Sequence, residues 1–166
     1  ETAAGKYPLE TIIEMANICV EAEKAEDVKL DADFTGMTFH RIDQSIAMGA
    51  LFTAFHLKVK CIAALTQSGS TALWISRLNC GVPIYALTSE ITTRYRLSLF
   101  RDVFPLMIQF HGNDRDELLR EAEEKLKAHG AVVDGDLIVL TIGEPIGKSG
   151  GTNTLKIVKV GDHKRA

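Results

Sequence analysis

The sequence predicts an α/β fold: a three-layer domain with helices on both faces of a five-stranded, mostly parallel sheet whose last strand is antiparallel. Two observations carry this prediction. Between residues 61 and 142, short apolar runs alternate with stretches in which apolar residues recur at helical spacing, as in successive βα units. After residue 142 the alternation breaks, because only the glycine-rich loop 143–153 separates two strand-like runs. A parallel crossover needs roughly a dozen residues or more and usually a helix, so the final strand must return antiparallel.

Tyr7-Pro8 marks the first helix start, with Pro in the first turn, where its missing N–H costs little. From Leu9 the apolar positions Ile12, Ile13, Ala16, Cys19 and Val20 share one face of an amphipathic helix reaching about Lys24. That face must cover something, and residues 1–6 are a small-residue loop with nothing to be covered. The chain is therefore expected to be a piece of a longer polypeptide.

Residues 25–39 lose periodicity around Gly36 and are expected to hold a domain boundary. A second helix is predicted over 41–58. Ile42, Ile46, Gly49, Ala50 and Ala54 would give it a narrow, closely packing face, and Phe52, Phe55 and Leu57 would add bulk. Residues 61–65 read as a buried parallel strand, followed by a helix in which Ala72, Ile75 and Leu78 share a face.

A second strand spans 84–87, with Thr88 and Ser89 as candidate N-caps for a helix over 91–100. A third spans 103–110, where Pro105 argues for an edge position. Asp114 with Glu117 suggests a capping box for the next helix, whose buried stripe would be Leu118, Leu119, Ala122 and Leu126. Gly130 would end that helix as its C′ residue. Residues 137–142 are nearly all apolar, as a central parallel strand should be, and 154–160 alternate like an edge strand.

Length and composition set the class. One domain of 166 residues with net charge −3 shows no basic stripe for nucleic acid. No apolar run approaches the ~20 residues of a membrane span. Three well-separated cysteines, Cys19, Cys61 and Cys80, each lie in or beside an apolar segment. They read as reduced thiols of a cytosolic protein, with no metal or disulfide framework.

The segment after the first strand carries the chemistry. Thr66, Gln67, Ser68, Gly69, Ser70 and Thr71 form a hydroxyl-rich turn that opens a helix. The first N–H groups of a helix have no intrahelical partner, and the helix dipole favours negative charge there. Phosphate binding is the expectation, with a well-capped βα turn as the alternative. The turn holds no Lys and no carboxylate, so binding is expected rather than phosphoryl transfer.

The loop 143–153 is the second such segment. Gly147-Lys148-Ser149 imitates the end of a Walker A motif, but Ile142 stands where that motif needs Gly, and a strand follows where a helix should. A P-loop is rejected. The loop leaves the carboxyl end of its strand, so it could face the hydroxyl turn across one pocket, with Gly147, Lys148, Ser149 and Gly150 closing over a phosphate. The alternative is a flexible connector. Arg94 or Arg96 could reach a second anionic group, although solvated arginines are the commoner account. Trp74 is read as packing. The histidines show no metal spacing, and no nucleophile, carboxylate pair or triad presents itself.

The run Glu1-Thr2-Ala3-Ala4-Gly5-Lys6-Tyr7-Pro8, followed by a helix ending Val20-Glu21-Ala22-Glu23, closely resembles the end of the catalytic barrel of the pyruvate kinase family. The likeness continues through Ser45-Ile46-Ala47-Met48-Gly49-Ala50, Leu65-Thr66-Gln67-Ser68-Gly69-Ser70-Thr71-Ala72, Phe100-Arg101-Asp102-Val103-Phe104-Pro105 and Gly151-Thr152-Asn153-Thr154. It covers essentially the whole chain in the expected order.

The resemblance implies a homotetrameric, cytoplasmic transferase making pyruvate and ATP from phosphoenolpyruvate and ADP, with Mg2+ and K+ bound upstream of this chain. It implies that residues 1–25 end the catalytic barrel, 26–39 are a linker and 40–166 form the C-terminal effector-binding domain. Glu1 and Thr2 would lie near the active site, and no main catalytic residue and no metal ligand would be in the chain. Residues 66–71 would hold the phosphate of an effector: a sugar monophosphate, AMP or fructose 1,6-bisphosphate. Where some family members have a basic residue in this turn, the chain has Ser70. The helix over 41–58 would contribute to a subunit contact. A stand-alone sugar-phosphate or nucleotide-binding module is the rival reading.

Overall fold

A strand of five small and apolar residues, every one buried, runs through the middle of the molecule. This strand, β1 (Cys61–Leu65), belongs to a computed structural model that describes residues 2, 4–25, 36–78, 81–109, 114–146 and 150–162. Along the chain the elements are α1 (Pro8–Ala25), α2 (Ile42–Leu57), β1, α3 (Ser70–Arg77), β2 (Ile84–Thr88) and α4 (Ile91–Leu97). They continue with β3 (Val103–Met107), α5 (Arg115–Ala128), β4 (Leu137–Gly143) and β5 (Thr152–Lys159). The five strands form one sheet in the order β3-β2-β1-β4-β5. The first four are parallel, with Ala64 opposite Ala86 on one side and Thr141 on the other, and β5 pairs antiparallel with β4. The predicted α/β architecture and the reversal of the last strand are both present.

Successive side chains of a strand point to opposite faces, and here each face has its own core. Cys61, Ala63 and Leu65 of β1 join Leu140 and Ile142 of β4 against the α5 stripe of Leu118, Leu119, Ala122 and Leu126. Ile62, Ala64 and Val139 point the other way, to Ala47, Ala50, Leu51 and Ala54 of α2 and Ala72 and Ile75 of α3. Small residues let α2 lie close to the sheet; a Cβ placed on Gly49 would stand 3.7 Å from Leu155.

Pro105 sits on β3, an edge strand, as its missing donor requires. Asp114 caps α5 by accepting from the N–H groups of Asp116 and Glu117, and Gly130 follows that helix at φ +74°. Trp74 packs against the α2–α3 core.

Three expectations change. The N-cap of α4 is Glu90, in extended conformation and with no side-chain cap bond, rather than Thr88 or Ser89. The Thr88 hydroxyl instead accepts from the Glu90 N–H, so it shapes the turn one step before the helix. That helix ends at Leu97 instead of Phe100, because the chain must turn back into β3. On α2 the packed face is rotated: Ile42 is exposed and the neighbouring Asp43 is buried. Phe52, Phe55 and Leu57 lie on the exposed side. The expected boundary over 25–39 falls largely on residues outside those described.

α1 carries the predicted apolar face, and Leu9, Ile12, Ile13, Cys19 and Val20 are exposed on it, while Met15 and Ile18 are exposed off that face. Among the described residues no helix is long and apolar enough to cross a membrane. Cys61 is enclosed by the sheet, and its thiol pKa is pushed up to about 12, chiefly by burial, with the Asp136 carboxylate adding and Lys60 opposing. Cys19 is exposed.

Candidate functional site

At the carboxyl end of β1 the chain makes a turn closed by its own first hydroxyl. The Thr66 Oγ1 accepts from the Gly69 N–H at 2.9 Å. Gly69 holds φ +78°, and a Cβ there would lie 3.2 Å from Leu97, so both the conformation and the space call for glycine. Gly69 is also the N-cap of α3, and it supplies no side-chain cap. The first N–H groups of α3 are therefore left without an intrahelical partner or a capping carboxylate.

Neighbouring elements fix the turn. Thr93 of α4 donates to the Gln67 carbonyl at 2.7 Å, and Arg96 donates to the Ser68 carbonyl. Arg96 is thus a strut of the turn, although its side chain, like that of Arg94, is exposed. The Thr71 and Thr152 hydroxyls share a buried hydrogen bond of 2.7 Å that ties the start of α3 to the start of β5. Ser70 donates to Asp43 at 3.0 Å. Asp43 is itself held by Arg41 through two bonds, Nε at 2.9 Å and Nη2 at 2.6 Å. Thr66 and Ser68 keep hydroxyl protons that no bond in the turn commits; the Ser68 oxygen accepts loosely from the Ser70 N–H at 3.4 Å.

Across from this turn lies the start of the 143–153 loop. The two walls line a small, partly open cleft of about 30 Å³. Thr66, Gln67, Ser68, Ser70 and Thr71 form one wall; Gly143, Ile146, Gly150 and Thr152 form the other, over a floor of Leu65, Leu118 and Ile142. The feet of the loop are bound together, since the Glu144 N–H donates to Asn153 Oδ1 at 3.0 Å and Asn153 Nδ2 donates to the Glu144 carbonyl at 2.7 Å. Gly143 is needed for this approach: a Cβ on it would stand 2.8 Å from the Gly151 carbonyl oxygen.

The structure thus brings the predicted turn residues and Gly150 around one cleft. Gly147, Lys148, Ser149 and Glu1 lie outside the described residues. Thr2 is exposed ahead of α1, away from the cleft lining. Sequence reasoning missed Arg41, Asp43 and Thr152, whose partners are 27 to 81 residues distant along the chain. Ile146 and Leu118 were read only as loop and core.

Chemically, the cleft is a donor-rich pocket with an apolar floor. It presents a helix N-terminus and hydroxyls, and among the described residues no cluster of His, Cys, Asp or Glu could hold a metal ion. Such an arrangement suits an anion.

Residues 44–158 match the family model described as the pyruvate kinase alpha/beta domain. The chain belongs to the pyruvate kinase family. It is 40% identical over 96% of its length to a pyruvate kinase of Buchnera aphidicola subsp. Acyrthosiphon pisum, and 37% identical over 96% to pyruvate kinase II of Salmonella typhimurium. It is also 40% identical over 98% to a pyruvate kinase of Staphylococcus haemolyticus. The chain spans about a third of the length of these relatives, 28 to 33%. The pyruvate kinase resemblance read from the motifs is thereby established, and the five-stranded sheet, apart from its last residue, Lys159, lies within the matched region.

Proposed function

We propose that this chain is the effector-binding C-terminal portion of a pyruvate kinase, an enzyme that transfers phosphate from phosphoenolpyruvate to ADP to give pyruvate and ATP. The observation that carries the reading is the open N-terminus of α3 in the wall of the cleft. A helix start capped by glycine with no acid in its first turn, beside the Ser68 hydroxyl and facing a glycine-rich loop, suits a phosphate group.

In this reading residues 1–25 close the catalytic barrel, 26–39 link it to the domain and 40–166 hold the effector. The exposed apolar face of α1 supports it, because such a face in a full-length enzyme would be covered by the barrel. The same face argues against a stand-alone binding module. Mg2+ and K+ serve phosphoryl transfer in the barrel, outside this chain. The enzyme works as a homotetramer in the cytoplasm, with α2 contributing to a subunit contact. An effector that binds the cleft more tightly in the active quaternary state shifts the tetramer towards that state.

Calorimetric titration with glucose 6-phosphate, ribose 5-phosphate, AMP and fructose 1,6-bisphosphate tests the reading, with Ser68→Ala as the control. Saturable binding of one ligand, weakened about tenfold by the substitution, is expected from loss of one hydrogen bond to a charged group. Equal binding by wild type and Ser68→Ala would sink the assignment of the phosphate to this turn.

A further inference from the structure

The turn at 66–71 has no cation of its own, and two guanidinium groups stand against it: Arg96, engaged with the Ser68 carbonyl, and Arg41. Arg41, the N-cap residue of α2, places Nη2 3.4 Å from the Ser70 Oγ. Ser70 is at once the first residue of α3 and part of the cleft wall. The Arg41 side chain remains 55% exposed, while its partner Asp43 is 2% exposed. A buried carboxylate needs its counter-ion, so Asp43 holds Arg41 in one place, and the short helix start between them leaves little slack. The ion pair consumes Nε and part of Nη2, and a guanidinium carries five donors in a fixed fork, so Nη1 remains to be offered.

Ser70 takes a different role from the one its position suggests. Its hydroxyl proton is given to Asp43 and its oxygen faces Arg41, so it joins the ion pair to the cleft wall and does not donate to a ligand.

We infer that Arg41, supplied from another element and held by Asp43, is the cationic anchor of this site. It selects a phosphate monoester dianion over a neutral sugar or a singly charged carboxylate. The inference rests on the effector-site reading above and adds a specificity-determining residue to it. Charge-assisted hydrogen bonds to phosphate are roughly twice as strong as neutral ones, and the open helix terminus with Ser68 supplies only neutral donors.

The test uses the protein at its full natural length and titrates glucose 6-phosphate, ribose 5-phosphate and AMP. Arg41→Ala alone would strand the Asp43 carboxylate, so it is accompanied by Arg41→Ala/Asp43→Asn, which removes both charges and keeps an acceptor for Ser70. Thermal melting verifies that each variant is folded. The double variant is expected to bind the responding phosphate ester roughly ten- to a hundredfold more weakly. Adding Ser70→Arg to Arg41→Ala places a guanidinium at the turn again, beside Asp43, and should restore most of the affinity. A residue needed only for packing would not be rescued in this way.

If the folded double variant binds as tightly as wild type while Ser68→Ala binds weakly, the Arg41 inference is overturned and the effector site stands. If wild type binds none of the three esters, or Ser68→Ala is without effect, the underlying site reading falls, and this inference with it.

Discussion

Two helices of this domain start near the same rim of the sheet and treat their N-termini in opposite ways. α5 closes its own: Asp114 accepts from two first-turn N–H groups, and Asp116 and Glu117 add negative charge beside them. α3 leaves its own open: glycine caps it without a side chain, no acid occupies its first turn, and the terminus looks into a cleft. Both helices obey the same electrostatics. A helix start that carries its own carboxylates has no need of a ligand, whereas one left open by glycine and surrounded by hydroxyls is available to an external anion. Both helices line the cleft, through Leu118 and through Ser70 and Thr71, but only α3 offers it an open N-terminus.

The difference can be broken or sharpened by substitution. The largest effect is expected at the wall facing the open helix: Gly143→Ala drives a methyl group into the Gly151 carbonyl, and backbone cannot swing aside as a side chain would. A loss of about 2–3 kcal/mol is expected in urea unfolding. Gly69→Ala comes next, at about 1–2 kcal/mol, because the left-handed conformation is costly for any L side chain. Any binding at the cleft should weaken with it.

Thr71→Val removes one member of the buried hydroxyl pair and leaves Thr152 unsatisfied, for about 1–2 kcal/mol. Asp114→Ala opens the closed helix and should have the smallest effect, about 1 kcal/mol. It should create no phosphate binding by calorimetry, since Asp116 and Glu117 remain to repel an anion. New phosphate binding at α5 in that variant would show that capping alone separates the two helices.

Local chemistry was legible from the sequence and tertiary chemistry was not. The five buried positions of β1, the edge placement signalled by Pro105, the Asp114 cap and the turn-back of β5 all follow from spacings within a dozen or so residues. The Thr88 and Ser89 reading failed because hydroxyl residues serve equally well in a turn and at a cap, and only the backbone conformation of Glu90 decides between them. On α2, Ile42 and Asp43 are adjacent, and no periodicity rule would bury the aspartate in preference. Its burial is explained only by Arg41 and by Ser70, 27 residues further on. The hydroxyl turn could be recognised from its composition. That Ser70 and Thr71 are already engaged with other elements could be seen only once α2 and β5 were in place.

The enclosed thiol of Cys61 has a practical corollary. Thiolate is the species that maleimides attack, and a group whose pKa rises from 9.0 to about 12 on folding holds its proton at ordinary pH. Between those two values the unfolded chain loses that proton and the folded chain keeps it, so alkali draws the equilibrium towards the unfolded form across this window. At neutral pH, with Cys19→Ser and Cys80→Ser in place, Cys61 becomes a silent reporter. Each alkylation event then records one excursion in which β1 parts from its neighbours, and the labelling rate becomes a stopwatch for the opening of the centre of the sheet.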